Sequence, residues 1–332
     1  MTSRSWHPGK LLALSGMYWQ TCTLHAGVQL EIFSHLAEKS LTAESLAEAI
    51  EADPRAIACL LNALTAMGLL DKSGDRFSNT TAARNFLVRT APDYVGHMIL
   101  HHHNLVESWA RLDEAVLSGK PVRASGSRTD DEVRRRNFLM GMFNNAMLLA
   151  PHVTEAVDLS DRESLLDLGG GPGTYAIHFC LRNPQLQATV YDLPTTRPFA
   201  EETIARFEVT DRVFFSAGDY HVDPVSGSYD VVWVSHILHA EGPEGCEMIL
   251  RKAVGALKTG GRILVHDFLL DDSMAAPLFP TLFALNMLLG TTSGRAYSDS
   301  QVGEMLARCG VREIQRLDFK GPTESGIIMG SV

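Results

Sequence analysis

Apolar positions fall into two rhythms along the chain. In the first part they recur at helical spacing. Val28, Ile32, Phe33 and Leu36 line one side of GVQLEIFSHLAE, the step of a helix with one buried face. LTAESLAEAI follows, with Thr42 placed to cap a helix start. DPRAIACLLNALTAMGLL opens on Asp53 as N-cap with Pro54 in the first turn, and closes at Gly68. LLDKSGDRFSNT runs from Leu69-Leu70 through a Ser73-Gly74-Asp75 turn to Phe77, which predicts a hairpin.

Helix, helix, helix, hairpin is the order of a winged-helix unit. Between residues 92 and 150 the pattern stays helical. MILHHHNLVESWARLDEAVLSG predicts one amphipathic helix ending at Gly119. PVRASGSRTDDEVRRR is a polar loop leading into the next helix. NFLMGMFNNAMLLAPHV is apolar enough for core or inter-domain packing, or for lining an apolar pocket. From about Ser164 the rhythm changes. SLLDLG, ATVYDL, VFFSAGD, YDVVWVSHIL and GRILVHDFLL are short apolar runs separated by helical stretches such as GTYAIHFCLRNP and CEMILRKAVGALKTG. That alternation predicts a parallel sheet with crossover helices. SDSQVGEMLARCGVREIQRLDF and SGIIMGSV add a helix and two strands.

Composition narrows the function. The chain has 332 residues, 45% of them hydrophobic and 20% charged, long enough for two domains. A net charge of -10 argues against a general nucleic-acid binder. Between Leu41 and Leu70 the one basic residue, Arg55, faces Glu44, Glu48, Glu51 and Asp53. DNA binding needs Lys or Arg at the phosphates, so the winged helix is expected to be a scaffold or a dimerisation unit. No apolar run reaches the roughly 18 residues of a membrane span. The N-terminal stretch lacks a clean cleavage site and is read as mature, cytoplasmic protein. Cys22, Cys59, Cys180, Cys246 and Cys309 are scattered, without metal-ligand or redox spacing.

The strongest chemistry lies in LLDLGGGPGTYAIHF. The dinucleotide fingerprint needs glycine at the first, third and sixth positions, and here the sixth is Thr174, with Pro172 in the turn. The spacing is Gly169, Gly171, Gly173, with Asp167 at the strand end just before. A carboxylate there suits a ligand with an ammonium group and not a pyrophosphate. S-adenosylmethionine carries an ammonium and a sulfonium, and no phosphate. Asp192 ends the next strand, 19 residues after Gly173, placed for ribose hydroxyls of either a nicotinamide dinucleotide or S-adenosylmethionine. Asp219 and Tyr220 end the third strand, within reach of an adenine.

LLDLGGGPGTYAIHF, VYDLP, GDY and GGRILVHDF, in that order, resemble the S-adenosylmethionine-dependent small-molecule O-methyltransferases that carry a winged-helix dimerisation domain. The family includes plant caffeate and acetylserotonin-type enzymes and bacterial polyketide-tailoring relatives. The resemblance covers nearly the whole chain. It implies an α/β fold: a Rossmann-like class I methyltransferase domain behind a mostly α winged-helix dimerisation domain. The corresponding ranges are 1–100 for dimerisation, 101–155 for a helical connector contributing to an acceptor pocket between the domains, and 156–332 for the catalytic domain. It implies a homodimer, an aromatic or polycyclic small-molecule acceptor, and S-adenosylhomocysteine as product. Donor contacts fall to Asp167, Gly169, Gly171, Gly173, Asp192, Leu193, Asp219, Tyr220 and Ser235, with Phe143 and Met147 against donor or acceptor. In VVWVSHILHAEGPEGC the resemblance puts His239 at the general base, with His236 three residues earlier, and Asp267 of VHDF as its orienting carboxylate.

Two departures stand out. Ala240 follows His239 where the family commonly has aspartate, and Ala296 stands where a second orienting carboxylate is common. A less well-held base leaves room for a carbon acceptor on the same scaffold. A nicotinamide oxidoreductase and a ligand-sensing winged-helix regulator are the more distant alternatives. His101, His102 and His103 are not expected to bind metal, because consecutive helical residues point about 100° apart; one of them is a candidate for lining the acceptor pocket.

Overall fold

The computed structural model describes residues 6–124 and 129–332; the first five residues of the N-terminal stretch and residues 125–128 of the polar loop lie outside the described residues. The chain divides into two compact units, Met1–Leu105 and Val106–Val332.

The first unit holds helices α1 (Pro8–Gly16), α2 (Tyr18–Gln29), α3 (Ile32–His35), α4 (Ala43–Ala49), α5 (Pro54–Ala66) and α6 (Thr81–Phe86), and strands β1 (Leu41–Thr42), β2 (Leu70–Ser73) and β3 (Arg76–Asn79). Helix α7 (Gly96–Trp109) runs across the division. The predicted caps are present. Thr42 Oγ1 accepts the Ser45 N–H at 3.2 Å and Asp53 Oδ1 accepts the Ala56 N–H at 2.8 Å, each worth about 1 kcal/mol. The predicted hairpin is β2 and β3, antiparallel, with Ser73 opposite Arg76. Strand β1 pairs with β3 to complete a three-stranded wing. Ile32, Phe33, Leu46, Leu61 and Leu64 are fully buried at its core. Helix α1 buries nothing: Leu12 is 74% exposed, and Trp19 at the start of α2 is 68% exposed.

One expectation fails here. The helix predicted to run to Gly119 is two helices, α7 and α8 (Leu112–Ser118). Arg111 leaves helical backbone at φ -111°, so the chain breaks where neither glycine nor proline marks it. Gly119 does close α8, at φ +66°.

The second unit adds α9 (Glu132–Ala156), α10 (Thr174–Arg182), α11 (Arg197–Arg206), α12 (Pro243–Gly255), α13 (Leu278–Gly290) and α14 (Asp299–Arg308). Its strands are β4 (Ser164–Leu168), β5 (Gln187–Asp192), β6 (Val213–Ala217), β7 (Tyr229–Ser235), β8 (Leu257–Leu270), β9 (Tyr297–Ser298), β10 (Arg312–Arg316) and β11 (Ser325–Ser331). The main sheet runs β10-β11-β8-β7-β4-β5-β6. Strands β8, β7, β4, β5 and β6 are parallel, as predicted, and β11 enters antiparallel between β8 and β10. Alternation splits the core across the sheet. Leu165, Trp233 and Leu264 pack toward α9, α10 and α11, whereas Leu166, Val232, Val234, Ile263 and Val265 pack toward α12 and α14. The strand order reverses between β4 and β7, and in open sheets ligands bind outside the carboxyl ends of the strands at such a reversal. Asp167 and Ser235 stand at those two ends.

Candidate functional site

Asp167 is 1% exposed on β4, facing α10. Its Oδ2 accepts the Ala176 N–H at 3.3 Å, while Oδ1 is buried without a hydrogen-bond partner. Burial, opposed by that N–H and reinforced by Asp192 nearby, pushes its pKa up to about 7. A buried carboxylate oxygen left unpaired costs roughly 1–3 kcal/mol or more, and a cationic ligand group would remove that cost. The glycine loop wraps around it. A Cβ on Gly170 would lie 2.6 Å from Asp167 Cγ, and one on Gly169 would lie 2.4 Å from Ile237 Cδ1. Gly171, at φ +55°, faces open space instead: a Cβ there meets nothing within 4 Å.

The loop is tied to the next strand. Gly169 N–H donates to Tyr191 O at 2.8 Å, and Gly171 N–H donates to Asp192 Oδ2 at 2.8 Å. Asp192 Oδ1 also accepts from Leu193 N–H at 2.6 Å and Thr196 Oγ1 at 3.0 Å. Burial raises the Asp192 pKa despite those bonds. Gly173 caps α10 at φ +78°. At the end of β6, Asp219 Oδ1 accepts the His221 N–H at 3.0 Å. Tyr220 Cε1 stands 3.4 Å from the Cβ position of Gly169. Lys252 Nζ holds this turn by donating to Tyr220 O at 2.7 Å and Asp223 O at 2.8 Å. The loop, Asp192, Leu193 and Tyr220 are therefore neighbours.

The second cluster lies after β7 and on β8. His239 Nδ1 is 2.7 Å from Asp267 Oδ1. An ionised carboxylate only accepts, so Nδ1 is the donor, and in the neutral ring Nε2 then keeps the lone pair. Asp267 is 4% exposed and also accepts the Phe268 N–H at 2.8 Å and the His239 N–H at 3.3 Å. Burial opposes its ionisation, but His239 and His236 hold its pKa well below the usual carboxylate range. Phe283 meets the His239 ring edge-on at 4.7 Å, and Phe268 stacks at 6.0 Å. Phe279 packs against Phe268 at 4.9 Å. Helix α13 thus brings an aromatic wall to the histidine. The loop after α13 fixes its backbone: Arg295 N–H donates to His239 O at 2.8 Å. Ala296 is buried and offers no carboxylate.

Ser235 lies in a different bonding chain. Its Oγ is 2.9 Å from His266 Nδ1, and His266 Nε2 is 3.0 Å from Ser325 Oγ. His266 is fully buried, and burial, with His236 beside it, holds its pKa well below the ordinary imidazole value. The described contacts of Phe143 and Met147 run to α10 and α11. Phe143 clusters with Leu139, Met140 and Phe199 beneath the Arg206 guanidinium. Met147 Sδ is 3.4 Å from His178 Nε2. His103 meets His25 edge-on at 5.5 Å, while His101 and His102 are 6.1 Å apart.

Sequence reading gave no role to His236, His266, Gly170 or the α13 phenylalanines. The alternation along VHDF was the available signal: His266 and Asp267 must face opposite sides of the sheet.

The chain matches the O-methyltransferase domain family over residues 109–312 and the O-methyltransferase dimerisation domain family over residues 12–89. It is 32% identical to a 3-hydroxy-5-methyl-1-naphthoate 3-O-methyltransferase of Streptomyces sahachiroi, over 97% of this chain and 95% of the relative. It is 34% identical to the tetracenomycin polyketide synthesis 8-O-methyl transferase of Streptomyces glaucescens, over 95% and 94%. Human N-acetylserotonin methyltransferase, solved with S-adenosylmethionine, superposes with a TM-score of 0.85 at 24% identity, covering 100% of this chain and 99% of that one. No described helix is long and apolar enough to cross a membrane.

Proposed function

The chain belongs to the S-adenosylmethionine-dependent O-methyltransferases with a dimerisation domain, and on that premise we propose that it methylates a phenolic hydroxyl of an aromatic, polycyclic acceptor with His239 as general base. The observation that carries this reading is the 2.7 Å contact between His239 Nδ1 and the buried Asp267. It commits Nδ1 as donor and leaves Nε2 to take a proton. Asp267 then orients the ring and stabilises the imidazolium that forms, as a carboxylate does in any histidine-base pair. With a second carboxylate replaced by Ala296, Asp267 is the orienting group.

The donor fits the residues present. Asp167 Oδ1 is the unpaired buried acceptor that an ammonium group needs, and Gly171 borders open space. Asp192 retains acceptor capacity on Oδ2 for ribose hydroxyls, with Leu193, Asp219 and Tyr220 beside it for the base. When bound, S-adenosylmethionine supplies an electrophilic methyl group on a sulfonium. Gly169 and Gly173 hold the loop, and Ser235 fixes the β7 end through His266. Phe143 and Met147, within residues 101–155, are kept in this reading against donor or acceptor. Arg123, in the same range, donates from its guanidinium to Asn286 of α13 at 2.8 Å, which ties this range to the helix carrying Phe279 and Phe283. Phe268, Phe279 and Phe283 favour a flat acceptor ring over an aliphatic alcohol. The two Streptomyces relatives carry aromatic polyketide names, which supports the same class.

The dimerisation domain supports a homodimer, and the exposed apolar residues of α1 and α2 are the surface we assign to it. A cytoplasmic location is part of the same reading. Calorimetry with S-adenosylhomocysteine, followed by turnover on a panel of hydroxynaphthoates and polycyclic phenols, tests the proposal. Donor-product binding without turnover of any phenol would overturn the acceptor class. Ala296 favours one second reading, carbon methylation, and product mass spectrometry with a His239→Ala variant separates the two: a near-unchanged rate would favour carbon.

A further inference from the structure

We propose that His236, His239 and Asp267 form a zinc-type divalent-cation site that switches the base off when filled. The switching half of this inference rests on His239 being the base; the binding half does not. The Nδ1 atoms of His239 and His236 lie 2.7 and 3.5 Å from Asp267 Oδ1. Each residue offers one ligand atom, and these fall within 4.8 Å of one another; zinc sits about 2.0–2.1 Å from each nitrogen, so the two rings must draw closer as the ion enters. Two imidazole nitrogens and one carboxylate oxygen are the donors zinc takes where three protein ligands leave a fourth position open.

His236 is the member of the cluster to which the proposed methyl transfer assigns no proton. Its backbone sits in the left-handed region at φ +56°, uncommon for a residue other than glycine. Its N–H donates to His266 O at 2.8 Å, which fixes that turn to β8. Its ring is packed against Phe268 at 4.4 Å and His266 at 4.6 Å. Its Nδ1 is buried and makes no hydrogen bond, although the Asp267 carboxylate is 3.5 Å away. A buried nitrogen without a partner is costly, and a cation placed between it and the carboxylate would satisfy both. Glu241, the nearby carboxylate, is paired with His221 at 3.4 Å.

Filling the site changes the base by tautomer. A cation on His239 Nδ1 takes the place of the proton now shared with Asp267, and the neutral ring must then carry its proton on Nε2. A protonated Nε2 cannot accept from a hydroxyl, and Asp267 is drawn to the cation. The metal is therefore an inhibitor, and chelator-treated protein turns over fully.

The test uses full-length, chelator-treated protein with zinc alone, and cobalt(II) as a spectroscopic substitute. Calorimetry is expected to show stoichiometric zinc binding, and turnover to fall about 10²–10⁴-fold at saturation, the scale of a lost general base. His236→Asn tolerates the left-handed backbone; it should bind zinc about tenfold or more weakly, and its own metal-free turnover is the baseline against which zinc inhibition is read. His236→Gln, with melting temperatures of both variants, guards against misfolding: zinc should raise the melting temperature of the native chain and not of the variants. Absence of stoichiometric binding, or equal binding by the variants, overturns the site. Zinc binding by His236 and Asp267 with no change in rate keeps the site and overturns His239 as base.

Discussion

Two buried aspartates stand at the carboxyl ends of strands on either side of β7, and they are treated in opposite ways. Asp167 is enclosed by α10 and the glycine loop, has one oxygen unpaired, and is pushed up to about 7 by burial. Asp267 is as deeply buried, yet accepts from His239 and Phe268 and is held well below the usual carboxylate range. The same side chain thus serves two ends. Where the protein completes the hydrogen bonds, the carboxylate organises a neighbour. Where it leaves them incomplete, an acceptor stays open, the one we propose for the donor's ammonium group.

The largest effect expected from breaking this pair is in His239→Ala. Turnover should fall about 10²–10⁴-fold, with S-adenosylhomocysteine affinity by calorimetry unchanged, because in the proposed reading the donor is held by the other aspartate. Asp167→Asn should do the reverse: donor-product affinity falls roughly ten- to a hundredfold, the worth of a charge-assisted hydrogen bond. Asp267→Asn keeps an acceptor near Nδ1 but loses the charge, and turnover should fall about ten- to a hundredfold without loss of donor binding. Phe283→Ala removes the edge contact on His239, and kcat/KM for the acceptor should drop by up to about tenfold, the scale of about 1 kcal/mol for one aromatic contact.

Melting temperature against pH separates the two aspartates without any ligand. A raised pKa means the folded chain binds the proton more tightly, so the contribution of Asp167 is full below about pH 4 and is lost as pH rises through about 7. Asp267 has the opposite sign: its contribution is present above about pH 4 and is lost only in stronger acid. Asp167→Asn should therefore gain on the native chain between pH 5 and about 8, and saturating S-adenosylhomocysteine should reverse that gain.

The glycine loop and the three strand-end acidic residues were legible because strand ends carry local signals: glycine where backbone must turn, a charge where an apolar run stops; the His239–Asp267 pair was reached only through the family resemblance. The break at Arg111 was not legible, since the apolar spacing continues through it and tertiary packing decides the bend. Nor was α13. PLFPTLFALNMLLG is apolar on nearly every side, so no periodicity distinguishes the face that carries Phe279 and Phe283 to the histidine. Phe143 and Met147 show the remaining limit: helical spacing tells which residues share a face, not which helix that face meets.

Gly170 was the one member of the loop that the spacing argument passed over. Its backbone angle is ordinary, so by conformation alone any residue could stand there. The space it leaves is occupied by the Asp167 carboxyl group, 2.6 Å from where a methyl would be. In a saturation library of this loop, Gly171 should accept small side chains more readily than Gly170, although only Gly171 has the glycine-like angle. The less tolerant position is then set by a neighbour's carboxylate rather than by the chain's own torsions, and an alanine there would act on the donor site as a mutation of Asp167 by proxy.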